Sequence, residues 1–252
     1  MTWIPLPKVI LFDHDGTIVD SEIVALKSAW LLTTEIAATF PGAPLYDLPK
    51  FIQKFAGKPY RDILTQLYAD APTVLDEPTI ATLVAEEENR AIDHLKQEAK
   101  PTAGTPEVLS YLWNRGFQFA LVSNSSLRRL QACLTASALT AYFPTPQIFS
   151  AHDSLPTRRP KPLPDIYLHA AEKLETEVSN CIAVEDSMSG VKSAVAAGIS
   201  QVVGYVGGTH ISENERSSRA AALRSMGAHP IIEQMPTLLE LLFNSEAGSP
   251  PL

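Results

Sequence analysis

The sequence predicts an α/β protein: a doubly wound parallel sheet, interrupted after its first strand by an all-helical insert. Three observations predict it. From residue 101 onward, short apolar runs alternate with amphipathic stretches, as in parallel strands joined by crossover helices. Between residues 20 and 100 no strand signal occurs and helical spacing dominates. Val9-Ile10-Leu11-Phe12, four apolar residues in a row, reads as a strand buried on both faces and so belongs with the later strands. The core is therefore expected over 1–19 and 101–252, with residues 20–100 forming a helical domain of ordinary size.

Taken in order, the first helix is expected over 22–39, with Ile23, Leu26, Trp30 and Leu31 at helical spacing, stopped by Pro41-Gly42-Ala43-Pro44. A second runs from Leu48 to Phe55 before Gly57. A third, from Tyr60 to Asp70, lines up Ile63, Leu64, Leu67 and Tyr68. The fourth, over 79–97, is long and charged. The core resumes with a helix over 106–115, proline in its first turn and Gly116 behind it. Strands are expected at 117–122, 147–150, 181–184, 201–206 and 230–232, with helices at 127–137, 166–174, 190–197, 215–226 and 236–243 between and after them. A frayed tail is expected beyond Ser245.

A net charge of −8 argues against nucleic acid or an anionic membrane as the partner, but leaves a small phosphorylated molecule open, because local charge governs a site. Cys133 and Cys181, far apart, suit a reducing compartment without a disulfide. Residues 1–8 lack the pattern of a signal peptide. The apolar stretch 23–40 contains Lys27 and Glu35 and falls short of a membrane span. A cytoplasmic location is expected, as a monomer or weak homodimer.

Chemistry-bearing residues stand at the ends of four predicted strands: Asp13 and Asp15, Ser123 and Asn124, Lys161 on the loop after the third strand, and Glu185 with Asp186. Alone, Asp13-His14-Asp15-Gly16 is an acidic turn, Lys161 a surface lysine, and Ser123 or Asn124 a cap for the next helix. In a parallel sheet, however, all four ends share one edge, where such folds bind ligands. Two unit charges 4 Å apart repel by roughly 4 kcal/mol at an effective dielectric near 20, so four clustered carboxylates must hold protons or a divalent cation. Hard oxygen donors without a nearby His or Cys pair point to Mg2+. His14 is expected to point away from its aspartate neighbours, outside any metal site. Lys161, held between Pro160 and Pro162, and the donors of Ser123 and Asn124 complement an anion. Together these groups suit phosphoryl transfer. A carboxylate at Asp13 would attack phosphorus, and Asp15 would protonate the leaving alcohol, which requires an Asp15 pKa above that of its neighbour.

Asp13-His14-Asp15-Gly16-Thr17, Ser123-Asn124, Lys161-Pro162-Leu163-Pro164-Asp165 and Val184-Glu185-Asp186-Ser187-Met188-Ser189-Gly190 resemble, in order and spacing, the four motifs of the haloacid dehalogenase-like hydrolases. Asp20-Ser21-Glu22, Phe149-Ser150 and Tyr167-Leu168-His169-Ala170-Ala171 resemble the branch holding β-phosphoglucomutase, phosphoglycolate phosphatase and sugar-phosphate phosphatases. The resemblance implies a Rossmann-like core with a small α-helical cap. It implies Asp13 as nucleophile and Mg2+ ligand, and Asp15 as general acid/base and, through its carbonyl, a ligand. It implies Ser123 and Lys161 on the transferring phosphoryl group with Asn124 beside it, and Glu185 and Asp186 on the metal. Glu22 at the entry to the insert, and Lys58 and Arg61 on a cap loop, are the candidates for the substrate's other end; Lys58 and Arg61 read equally as solvent-facing charges. His14 departs from the apolar or Cys residue common there, and Arg158-Arg159 precede the lysine motif as surface charges or aids to an anionic substrate. The function expected is an Mg2+-dependent phosphatase acting on a small phosphorylated metabolite, most simply a sugar phosphate. A β-phosphoglucomutase-type mutase is the enzyme alternative, and a non-catalytic phospho-aspartate or phosphometabolite-binding module the alternative of another class. Asp15 disfavours a dehalogenase, and Lys58 is not evidently placed for the Schiff base of a phosphonate hydrolase.

Overall fold

The computed structural model describes residues 6–243; the tail expected beyond Ser245 and the first five residues of the amino terminus lie outside them. Six parallel strands form one sheet: β1 (Val9–Phe12), β2 (Gln118–Ser123), β3 (Ile148–Ser150), β4 (Cys181–Glu185), β5 (Gln201–Tyr205) and β6 (Ile231–Ile232), in the order β3-β2-β1-β4-β5-β6. The chain's first strand is thus central, paired with β2 on one side and β4 on the other. At β1 the strand order changes direction, and such a switch point opens a crevice at the strands' carboxyl ends.

Burial on both faces follows from the alternation of strand side chains. Ile10, Phe12, Ile182 and Val184 join one core layer with α5 (Thr105–Asn114), α6 (Leu127–Ala136) and α10 (Thr237–Phe243). Val9, Leu11, Cys181 and Ala183 join the other with α7 (Asp165–Lys173), α8 (Met188–Ala196) and α9 (Glu213–Ser225). Cys133 and Cys181 are buried and free, one in each layer.

Between β1 and α5 lie α1 (Glu22–Ile36), α2 (Leu48–Phe55), α3 (Tyr60–Leu67) and α4 (Glu77–Glu98). Leu26, Leu32, Phe51, Phe55, Ile63, Leu64 and Leu83 give this insert a core of its own. Its two ends are rooted in the sheet's core instead, through Val24 at one and Ala91, Leu95 and Ala99 at the other. Several helix starts fall one or two residues earlier than the sequence pattern suggests, those of α4 and α9 through their caps. α4 begins at Glu77 because Asp76 caps it, accepting from Thr79 N at 3.0 Å, and Pro78 is tolerated in the first turn. α9 begins at Glu213 behind a reciprocal Ser212–Glu215 capping box. Among the described residues, no helix is long and apolar enough to cross a membrane.

Candidate active site

Asp13 leaves β1 with its N–H still bonded to the Val184 carbonyl (2.9 Å), so its carboxylate is aimed by sheet geometry. The chain then winds tightly: the His14 carbonyl accepts from Thr17, Ile18 and Val19 N–H. Gly16 makes the turn at φ +83°, where a side chain would be strained and a Cβ would collide with Asp186 and His210. Thr17 Oγ1 donates back to Asp13 Oδ2 at 3.1 Å. β4 delivers Glu185 and Asp186 alongside. Gly190, near the start of α8, leaves the space that the Glu185 carboxylate fills. Asp13, Glu185 and Asp186 are all buried, each with one carboxylate oxygen within 4.8 Å of the others.

Lys161 enters this cluster from the loop before α7. Its Nζ donates to Asp13 Oδ1 (2.6 Å), Glu185 Oε1 (2.6 Å) and the Val122 carbonyl (2.8 Å). Tyr167 OH also donates to Glu185 Oε1, at 2.5 Å. Asn124 fixes the lysine's backbone, accepting from Lys161 N at 2.8 Å, while capping of α6 falls to Ser126. Ser123 and Asn124 are thereby free of the helix cap and line the cleft.

One lysine does not balance three carboxylates. Burial, then the charge of Glu185, pushes the Asp13 pKa up to about 7, despite Lys161. Burial also raises Glu185 and Asp186. Burial opposes the charge on Lys161, but Asp13 and Glu185 outweigh it and hold the amine protonated. Asp15 goes the other way. Burial would raise it, but His14, Arg129 and the Ser21 hydroxyl together hold it well below the usual carboxylate range. Asp13 is thus raised and Asp15 lowered, opposite to the order that the sequence reading requires. The physical reason is local: Asp13 faces carboxylates, whereas Asp15 faces positive groups and hydroxyls.

Three buried hard oxygen donors with surplus negative charge fit a divalent cation of the Mg2+ type. The Asp15 carboxylate stands apart from that group. Its Oδ1 accepts from Ser21 Oγ at 2.5 Å, its Oδ2 from Ser125 Oγ at 2.7 Å, with Ser123 Oγ at 3.4 Å. His14 does not point away from the aspartates as the extended-chain argument expects. The tight turn brings its Nδ1 to 3.2 Å from Asp15 Oδ1, without hydrogen-bond geometry.

Asp13, Asp15, Glu22, Ser123, Asn124, Lys161 and Asp186 all line one cleft. Glu22, the first residue of α1, reaches the loop between α2 and α3, accepting from Gly57 N at 2.7 Å. Lys58 and Arg61 are not on the cleft wall; Lys58 Nζ turns to Gln66 Oε1 (2.6 Å), and Arg61 pairs with Glu77 (2.5 Å). Arg159 is drawn to Asp165, and Arg158 is exposed. The sequence reading missed His210, whose Nε2 lies 3.1 Å from Asp186 Oδ2, and Arg219, which lines the same cleft. The signal for His210 was present: Gly207-Gly208-Thr209-His210 follows β5, a fifth strand end on the same edge.

Comparison with known proteins places the chain in a family. The haloacid dehalogenase-like hydrolase family model matches residues 7–198. The chain is 27% identical over 192 residues to 6-phosphogluconate phosphatase of Escherichia coli K12, covering 76% of this chain and 80% of that one. It is 30% identical over 200 residues to hexitol phosphatase A of the same organism, covering 76% and 80%. A solved haloacid dehalogenase-like protein of unknown function from Agrobacterium tumefaciens superimposes with a TM-score of 0.75 at 32% identity, over 95% of this chain and 99% of that one. With four strand ends converging on one acidic cleft and a family model spanning most of its length, this chain belongs to the haloacid dehalogenase-like hydrolases.

Proposed function

We propose that this hydrolase is an Mg2+-dependent phosphatase that cleaves a small phosphorylated sugar through an aspartyl-phosphate on Asp13. Its class is that of a phosphoric monoester hydrolase, in keeping with the phosphatases it matches. The observation that carries the reading is Lys161 Nζ at 2.6 Å from both Asp13 and Glu185, a cation beside a carboxylate that must meet an anion.

Asp13, Glu185 and Asp186, with the Asp15 carbonyl, would hold the Mg2+, which supplies positive charge to neutralise phosphate oxygens. Lys161 and Ser123 bind the phosphoryl group. An Asp13 oxygen forms a bond to phosphorus as the ester P–O bond breaks, and the departing alkoxide takes the Asp15 proton. Substrate arrival brings negative charge beside Asp15 and raises its pKa, so that proton is taken up with the ester. Water then attacks phosphorus, gives its proton to the Asp15 carboxylate, and releases phosphate with Asp13 restored. Residues 20–100 serve as the cap, 1–19 and 101–252 as the catalytic core. Glu22 and Asn124 border the bound ester, and the names of the two curated relatives favour a polyol or sugar carrier. The two buried free thiols suit a cytoplasmic enzyme, taken here as a monomer or weak homodimer.

The test is a panel of phosphorylated sugars assayed with Mg2+ and with chelator. Release of inorganic phosphate that stops on chelation supports the reading. An isomerised sugar phosphate without net phosphate release would make it a mutase, and binding without turnover a non-catalytic module.

A further inference from the structure

Ser21 stands at the N-cap of α1, a position where serine ordinarily accepts a hydrogen bond from the helix's own N–H groups. Here it makes no such bond. Its backbone lies in the helical region (φ −101°, ψ −23°), which turns the hydroxyl away from the helix. The fully buried Oγ instead sits 2.5 Å from Asp15 Oδ1, with the Val19 carbonyl a distant second acceptor at 3.4 Å.

Its two neighbours also tie α1 to the cleft. Asp20 Oδ1 accepts from Thr209 N at 3.0 Å, on the loop that carries His210. Glu22 Oε1 accepts from Gly57 N at 2.7 Å, on the cap loop. Three consecutive residues at the root of the cap therefore each hold a different wall of the cleft: the loop after β5, the catalytic carboxyl and the cap.

We propose that Ser21 is a positioning residue for Asp15, with its hydroxyl diverted from helix capping to fix the proton-donating carboxyl against the first turn of the cap. The inference rests on the phosphatase reading, in which Asp15 protonates the leaving alcohol. The hydroxyl fixes which way the carboxyl faces and stabilises the carboxylate that remains once the proton has left. Ser21 does not line the cleft, so it acts through Asp15.

The experiment compares an alkyl phosphate, whose poor leaving group needs the proton, with p-nitrophenyl phosphate, whose leaving group scarcely does. In Ser21→Ala, the alkyl-to-aryl ratio of kcat/KM is expected to fall by about tenfold, part of the usual general-acid contribution. The melting temperature is expected to fall by no more than a few degrees, the cost of one buried hydroxyl–carboxylate bond, because no cap bond is lost with it. Equal losses on both esters, or a lower melting temperature with the ratio unchanged, would reduce Ser21 to a structural residue and overturn the proposal. Should Ser21→Ala not fold, Ser21→Gly, which also lacks the hydroxyl, carries the same comparison. Wild-type protein that cleaves neither ester would instead sink the phosphatase reading, and this inference with it.

Discussion

Asn124 and Lys161 hold each other in both directions. The Lys161 N–H donates to Asn124 Oδ1 at 2.8 Å, and Asn124 Nδ2 donates to the Lys161 carbonyl at 3.4 Å. The end of β2 thus fixes the loop that delivers the amine between Asp13 and Glu185. Asn124→Ala is expected to lower kcat/KM by about 10- to 100-fold through misplacement of the amine. Its stability should fall by about 1–2 kcal/mol from the unpaired backbone N–H. Steady-state kinetics beside denaturant unfolding checks both, and unchanged kinetics would remove Asn124 from the positioning of Lys161.

Asp13→Asn keeps the shape and the acceptor of the Thr17 bond but removes the nucleophile. Turnover should drop by at least about a thousandfold while the protein stays folded. Phosphate release measured beside a circular dichroism spectrum tests this; substantial residual turnover would exclude attack by Asp13.

The buried carboxylates make stability depend on pH and on the cation together. Unfolded Asp13 loses its proton near 3.8, folded Asp13 near 7, so between them the folded state binds more protons. In chelator, stability should therefore fall as pH rises through that window, with the raised Glu185 and Asp186 acting in the same sense. A cation replaces the missing positive charge, so Mg2+ should raise the melting temperature more at about pH 7.5 than at about pH 5, where it competes with protons. Melts with and without Mg2+ at both pH values decide it; equal gains would place the cation elsewhere.

Gly190 is needed for space. A Cβ there would overlap the Glu185 carboxyl, whose other oxygen is held by Lys161 and Tyr167 and cannot retreat freely. Gly190→Ala should cost about 1–3 kcal/mol of stability and weaken Mg2+-dependent turnover. Thermal unfolding and a Mg2+ titration of activity measure both effects, and a neutral result would mean that Glu185 can reorient.

Much of this molecule follows from chain order. Strand–helix alternation dictates a parallel sheet, a parallel sheet puts every strand's carboxyl end on one edge, and so Asp13, Ser123, Lys161 and Asp186 meet although up to 173 positions separate them. That inference needs only hydrophobic periodicity, which is local. It does not reach properties set by what folds against a side chain. His14 turns toward Asp15 because the loop curls about its own carbonyl, and Lys58 and Arg61 find partners away from the cleft on residues 8 and 16 positions further along. The opposite pKa shifts of Asp13 and Asp15 likewise depend on packing: burial and Glu185 from β4 raise the first, while His14, turned by the loop, and Arg129 on α6 lower the second. Periodicity settles which edge of the sheet a residue occupies, whereas charge, burial and hydrogen bonding depend on distances of a few ångströms that only the packed chain fixes.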